Sequence, residues 1–473
     1  MNIKKHLKLF NTYSRKKEEV IPLNKNHINM YTCGPTIYDF AHIGNFRTYV
    51  FEDLLRKTLK FLGYNVIQVM NITDLDDKTL NGAIKKNISL YEFTEPFRQA
   101  FFEDLDALFI EKAEFYPKAT QYIEKMIEII QDLKNKKFAY KGADGSIYFS
   151  IDKFKDYGKL SHLNLKDLKK GASNRITQDE YDKENASDFV LWKIFDPKRD
   201  GNIFWDSPFG KGRPGWHIEC SAMSLSLLKN TLDIHCGGID NIFPHHENEI
   251  AQSEAYTNEK FVNIWAHSEH LIVDNKKMSK SLGNFFTLRD LIKMGYSGRE
   301  VRYMLMHTHY KTQLNFTLEG LKASRSSLQR IDDFIDRLNS IKENNDFSLI
   351  DTILKEEREK FNNALIDDLN ISIALSSLFD LIKKVNTLID QDKISKNEAH
   401  KTIKYLKEID MILSVIFTKE IEEVPDSIIE AMEKREDARK NKNFALSDEL
   451  RDYILEQGYI IEDTKEGPKA KKK

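Results

Sequence analysis

Two stretches of this sequence are equipped to handle phosphates. The segment Cys33-Gly34-Pro35-Thr36-Ile37-Tyr38-Asp39-Phe40-Ala41-His42-Ile43-Gly44-Asn45 closes on a histidine, a glycine and an amide. Between a strand and its helix, Gly44 lets a backbone approach a nucleotide closely. His42 and Asn45 there offer hydrogen-bond donors beside a helix N-terminus, a natural site for anions. The second stretch, Lys277-Met278-Ser279-Lys280-Ser281, sets two lysines three apart with hydroxyls among them. Such a polar loop can hold a triphosphate and stabilise charge developing on a pyrophosphate leaving group.

A third group raises a metal. Cys33, Cys220 and the His/Glu cluster of Phe243-Pro244-His245-His246-Glu247-Asn248-Glu249 offer sulfur, nitrogen and oxygen donors suited to Zn²⁺. His245 and Glu249, four apart, share a helix face, and so do His246 and Glu249, three apart. Spacing does not choose between the two pairs. Cys236 reads as a buried, inert thiol, because free cysteine is among the most buried residue types.

These residues need elements to position them. Asn26 to Cys33 reads as a strand. Phe46 to Leu62 then carries apolar residues at helical spacing, and Tyr64 to Thr73 reads as a second strand. Strand, helix, strand is a βαβ unit, so the N-terminal half predicts a parallel sheet with ligands at the C-terminal ends of its strands, where Cys33 and Thr73 fall. From Tyr116 to Arg199 a Lys-rich helix, short strands and a polar stretch (Gly171 to Asn185) read as an insertion. The βα pattern resumes at Trp216, with a strand over Leu232 to Cys236 running into Gly237-Gly238 and a helix beginning near Pro244. Thr317 to Phe417 predicts amphipathic helices, with Leu318, Leu321, Leu328, Ile331, Ile335 and Leu338 on one face. A small module ending in Lys471-Lys472-Lys473 follows.

Composition bounds the rest. A chain of 473 residues, 41% apolar and 31% charged, is long enough for about three domains with buried cores. A net charge of −2 argues against coating nucleic acid by bulk charge but leaves room for local basic patches. Three widely spaced cysteines do not form a secreted disulfide framework. The N-terminus lacks the apolar run of a signal peptide, and nothing approaches a membrane span. We therefore expect a cytoplasmic protein with no membrane partner.

The pair His42-Ile43-Gly44-Asn45 and Lys277 to Ser281, in that order on a βα scaffold, resembles the two signature motifs of class I aminoacyl-tRNA synthetases. Tyr31 to Asp39, Trp216-His217-Ile218-Glu219-Cys220-Ser221-Ala222-Met223 and Phe243 to Ser253 closely resemble the cysteinyl members of that family. The likeness runs over essentially the whole chain and is weakest in the insertion and at the C-terminus. Asn45 stands where many class I enzymes have a second histidine. Its amide can still donate, and the substitution occurs within the cysteinyl group.

The resemblance implies an α/β architecture: a Rossmann-type parallel-sheet catalytic domain in two halves (1–115 and 200–316), split by a connective insertion (116–199). A helical anticodon-binding bundle (317–420) and a small C-terminal domain (421–473) follow. It selects Cys33, Cys220, His245 and Glu249 as ligands of one zinc ion per subunit, leaving His246 and Glu247 to supporting roles. Thr73 and Trp216 become cysteine-pocket residues, and Asp240 the carboxylate for the substrate's amino group. Thr36, His42, Gly44, Asn45, Gly238 and Lys280 fall to ATP, with His42, Asn45, Lys277 and Lys280 catalytic. The implied substrates are cysteine, ATP with Mg²⁺ and the cysteine tRNA, and the implied state is a monomer. A ligase joining activated cysteine to an amino sugar is the rival reading, opposed by the long helical bundle; a non-catalytic paralogue is opposed by the intact lysine loop and donor set.

Overall fold

The computed structural model describes residues 6–25, 27–163, 188–279, 282–342, 349–417, 426–441, 443–464 and 467–472. Lys280, Ser281 and the polar stretch Gly171 to Asn185 lie outside these residues. The chain divides into two compact units, residues 1–416 and 417–473.

The first unit opens with a polar hairpin, β1 (Lys8–Asn11) and β2 (Lys16–Glu19), which the sequence reading did not anticipate. β3 (His27–Thr32), α1 (Ile43–Phe61) and β4 (Asn65–Met70) make the expected βαβ unit. Two helices follow, α2 (Asp77–Lys86) and α3 (Leu90–Ala107). In the insertion, α4 (Ile123–Asn135) precedes β5 (Ala139–Lys141), β6 (Ile147–Phe149), β7 (Phe189–Ile194) and β8 (Gly212–Pro214). These four strands form one antiparallel sheet in the order β5-β6-β7-β8. That sheet therefore continues past the expected boundary at residue 199, because Trp192, Lys193 and Ile194 pair with Pro214, Arg213 and Gly212.

The βα pattern returns with α5 (Trp216–Leu228), β9 (Leu232–Gly238), α6 (Glu247–Thr257) and β10 (Val262–Ser268). The helix expected from Pro244 is preceded by a π-helical turn over Ile242–His246, which carries a cis Phe243–Pro244 bond. The main sheet is wholly parallel, in the order β10-β9-β3-β4. From β3 the chain crosses to β4 on one side, and from β9 to β10 on the other. The carboxyl ends of β3 and β9 thus flank a topological switch point, where open α/β sheets bind ligands.

A small sheet, β11 (Leu271–Val273), β12 (Lys276–Lys277) and later β13 (Leu314–Phe316), carries the lysine loop and leads to α7 (Leu288–Lys293) and α8 (Gly298–Met306). The bundle comprises α9 (Leu318–Asn339), α10 (Leu349–Ile366), α11 (Ile371–Asp390) and α12 (Lys396–Leu413). Leu321, Leu328, Ile331 and Leu338 are buried as their spacing predicts, whereas Leu318, in the first turn, is exposed and Phe334 takes the deep position beside Ile335. The second unit holds α13 (Asp426–Lys440), α14 (Phe444–Glu456) and the hairpin β14 (Tyr459–Thr464) and β15 (Gly467–Lys472). Its small core gathers Ile428, Ala431, Ile454 and Tyr459.

Candidate functional site

Cys33 stands one residue beyond β3, its N–H donating to the Cys236 carbonyl at 3.2 Å. The turn that follows admits only glycine: a Cβ on Gly34 would lie 1.8 Å from the Asn71 carbonyl oxygen. Gly34 N–H donates to Asn71 Oδ1 (3.0 Å), and Asn71 Nδ2 donates to the Thr73 hydroxyl (3.0 Å). Thr36 bridges Thr73 in parallel, with Ile37 N–H donating to the Thr73 carbonyl (3.1 Å). One tight junction therefore fixes Cys33, Thr36 and Thr73 together.

Cys33, Cys220, His245 and Glu249 bring one donor atom each to within 4.8 Å of one another, and so do Cys33, His235, His246 and Glu249. The structure thus assembles both pairs that the spacing left open, on a common Cys33 and Glu249. Cys220 Sγ lies 3.5 Å from His245 Nε2, and Cys33 Sγ lies 3.2 Å from His246 Nε2. Glu249 Oε1 sits 2.9 Å from His245 Nε2 without forming a hydrogen bond, while Oε2 is 3.0 Å from His235 Nε2. A fully buried carboxylate oxygen left over beside two sulfurs and a ring nitrogen fits a cation.

Cys220 and Glu249 already favour the deprotonated form that ligation needs, whereas Cys33 and His245 would have to release protons as a cation binds. Burial pushes the Cys33 thiol up, and its hydrogen bond to Cys220 adds to the effect. Burial also works against the Cys220 thiolate, but the hydrogen bond from Cys33 and the charge of His245 bring it down to about 6. Glu249 is held at about 2, because His235 and His245 overcome the penalty of burial. Against the same penalty, Glu249 and Cys220 lift His245 to about 10.

Around these donors stand further histidines, of which spacing identified only His246. His217 Nδ1 is 2.9 Å from His245 Nδ1, and His246 Nδ1 is 2.8 Å from His267 Nε2, whose other nitrogen is 2.7 Å from Thr12 Oγ1. Burial drives His217 and His246 well below the usual histidine value and takes His267 down to about 3. Neutral rings tied to one another through their nitrogens can hold the donors beside them in orientation. Trp216, the first residue of α5, stacks on His245 at 4.1 Å and forms the partly exposed wall beside it. Glu247 turns away from the donors and accepts from the N–H groups of Gly158 and Ser161, both at 2.8 Å, which ties the insertion to this end of the sheet.

At the mouth, His42 caps α1. Its Nδ1 accepts from the Asn45 N–H (3.2 Å) and its own N–H donates to Asn45 Oδ1 (3.1 Å), a reciprocal capping box. The neutral imidazole then carries its proton on Nε2, and the amide half of Asn45 that remains to donate is Nδ2. A Cβ on Gly44 would meet His42 Nδ1 at 2.9 Å and Met278 Cε at 3.3 Å. Ile43 N–H donates to the Phe286 carbonyl (3.0 Å) and His42 pairs with Thr287, so the histidine segment and the lysine loop abut. Lys277 is exposed on β12, and Asn284 closes the loop behind it by donating to the Lys277 carbonyl (3.2 Å) and accepting from Ser279 N–H (2.9 Å). Gly238 ends β9, and Asp240 follows it in an exposed turn; a Cβ on Gly238 would lie 2.3 Å from Asp240 Oδ1.

A family model described as the tRNA synthetases class I (C) catalytic domain matches residues 19–326, and the DALR domain model matches 360–418. The cysteine–tRNA ligase of Protochlamydia amoebophila is 57% identical over 467 residues, 98% of each chain. That of Chlamydia trachomatis serovar D is 56% identical over 477 residues, covering 98% of this chain and 99% of the relative. Among solved structures, a Mycobacterium tuberculosis methionyl-tRNA synthetase with methionyl-adenylate superposes with a TM-score of 0.58 at 12% identity, over 83% of this chain and 88% of that one. An Agrobacterium radiobacter leucyl-tRNA synthetase complex gives 0.58 at 12%, over 84% and 85%. At such identities these two structures speak for the fold alone.

Proposed function

The chain belongs to the class I cysteine–tRNA ligases, and from that premise we propose how its residues divide the work. The enzyme activates cysteine with ATP and transfers it to the 3′-terminal adenosine of the cysteine tRNA. Cys33, Cys220, His245 and Glu249 would hold one zinc ion per subunit. The observation that carries this assignment is their convergence at the switch point, with the Cys220 thiol already depressed to about 6. The alternative set through His235 and His246 has one sulfur fewer and takes the orienting role.

Bound there, zinc supplies a soft Lewis acid that ligates a thiolate and passes over a neutral hydroxyl. A pocket working by shape alone would separate such small side chains by only about 1–3 kcal/mol. Trp216 and Thr73 line the remaining space, and Asp240 at the mouth receives the substrate ammonium. The cysteine carboxylate attacks the α-phosphate of ATP, expelling pyrophosphate. Thr36, Gly44 and Gly238 make room for the nucleotide. His42 through Nε2–H, Asn45 through Nδ2, and Lys277 and Lys280 with Mg²⁺ neutralise the charge that builds on the phosphates. The terminal adenosine's hydroxyl, the 2′ by class, then attacks the adenylate carbonyl. No side chain becomes covalently linked to substrate; catalysis is positioning and electrostatics. The three cysteines are free thiols, as a reducing cytoplasm would keep them, and the working unit is a monomer.

His245→Ala should lower bound zinc, read by elemental analysis, and erase discrimination against serine in ATP–pyrophosphate exchange. Discrimination left intact would overturn the metal assignment. Lys280→Ala should abolish exchange, and wild-type exchange would remove that lysine from the mechanism.

A further inference from the structure

Just ahead of His42, the loop joining β3 to α1 exposes two aromatic rings that adenylate chemistry does not use. Tyr38 is 38% exposed and Phe40 is 41% exposed, although the loop that carries them is pinned on both sides. Asp39 Oδ1 accepts from the Phe40 N–H at 2.8 Å, and Thr36 is bridged to Thr73. Each ring has a cation over it. Lys78 Nζ lies 5.0 Å from the Tyr38 centroid, and Arg289 Cζ lies 5.4 Å from that of Phe40. Phe97 meets Phe40 edge-on at 5.4 Å. Arg289 is itself anchored by Glu103 at 2.5 Å and the Ala100 carbonyl at 3.2 Å, so the Phe40 ring sits in a fixed setting.

Exposed aromatic rings held in a fixed setting suit one kind of occupant, an unpaired base that stacks on them. Single-stranded nucleic acid must also come here. The terminal adenosine of the tRNA has to reach the adenylate beside His42, and Phe40 stands two residues from His42, whose ring meets that of Phe285 at this rim. We propose that Tyr38 and Phe40 form a stacking platform for the unpaired nucleotides next to that adenosine, with Lys78 and Arg289 bracing the rings. This rests on the tRNA-charging function above.

The test uses the full chain with Phe40→Leu, Phe40→Trp and Tyr38→Leu. Two rates are measured: cysteine-dependent ATP–pyrophosphate exchange, and charging of a cysteine tRNA transcript at saturating cysteine and ATP. Loss of one stacked base costs roughly 5- to 150-fold. Phe40→Leu should therefore keep exchange within about twofold while lowering kcat/KM for the tRNA roughly tenfold or more, and Phe40→Trp should restore charging. A tRNA lacking its last three nucleotides should inhibit the wild type and Phe40→Leu equally. The platform is overturned if leucine charges as well as phenylalanine, which makes the ring mere packing. Parallel losses in exchange would assign the rings to ATP and also overturn it, as would a penalty that persists with the shortened tRNA. A wild-type enzyme that exchanged but charged no tRNA would instead remove the function on which the platform rests.

Discussion

Glu52, on the inner face of α1, is completely buried, and neither of its carboxyl oxygens has a hydrogen-bond partner. Burial holds its proton affinity far above that of an ordinary glutamate. The unfolded chain releases that proton near the usual carboxylate value, so the folded state is favoured below that value and loses stability as pH rises towards the folded one. Over that window the loss is about 1.4 kcal/mol per pH unit. Glu52→Gln should flatten this slope, and its thermal midpoint should exceed the wild type's by more at pH 8 than at pH 5. Glu52→Leu, which also removes the stranded polar atoms, should gain a further 1 kcal/mol or so. Equal pH profiles in all three proteins would mean that Glu52 is solvated. The opposite sign applies at Asp200, which is buried and held at about 2 as its bonds from Arg199, Asp196 N–H and Arg213 overcome burial. Its contribution, about 2 kcal/mol, is present above the ordinary aspartate value and disappears as pH falls towards 2. Asp200→Asn should thus be destabilised at pH 7 but converge on the wild type in acid, as followed by urea unfolding.

Among the elements, the β3–α1 junction is the least tolerant of change. Gly34→Ala would drive a methyl group into the Asn71 carbonyl, at a cost of about 1–3 kcal/mol or more, and would displace Cys33 and Thr73 together. The expected outcome is loss of exchange and of the zinc proposed above, with a lowered thermal midpoint. Elements of this kind were legible in the sequence because apolar periodicity marks β3, α1, β4 and β9, and because Gly34-Pro35 and Gly237-Gly238 mark where the strands stop. The polar hairpin β1–β2 was not, since Lys16-Lys17-Glu18-Glu19 has no apolar alternation. The donor set was half legible. His245 and Glu249 share one helical segment, so their spacing speaks, but His217, His235 and His267 arrive from α5, β9 and β10. No spacing along the chain encodes which strand ends abut.

At the scale of the first unit, one buried node joins the catalytic sheet to the bundle. Asp53 on α1 accepts from Arg302 at 2.5 Å and Lys57 at 2.8 Å, and from the Glu111 N–H at 2.8 Å. Arg302 continues to the Leu413 carbonyl at the end of α12 (2.7 Å), and Lys57 to Ser414 Oγ (2.8 Å). Removing the carboxylate leaves two buried cations unpaired, so Asp53→Asn should cost about 3–5 kcal/mol, and adding Arg302→Met, which takes one of those cations away, should recover part of it. Denaturation midpoints of the single and double variants decide this; strictly additive losses would refute the pairing. The same helix that bears this node ends in the His42–Asn45 cap. It rises about 1.5 Å per residue, which sets roughly 15 Å between Asp53 and the cap. α1 therefore couples the position of the cap to that of the buried node. A tilt of about 4° there moves the imidazole by about 1 Å, a displacement large enough to matter in a reaction governed by positioning.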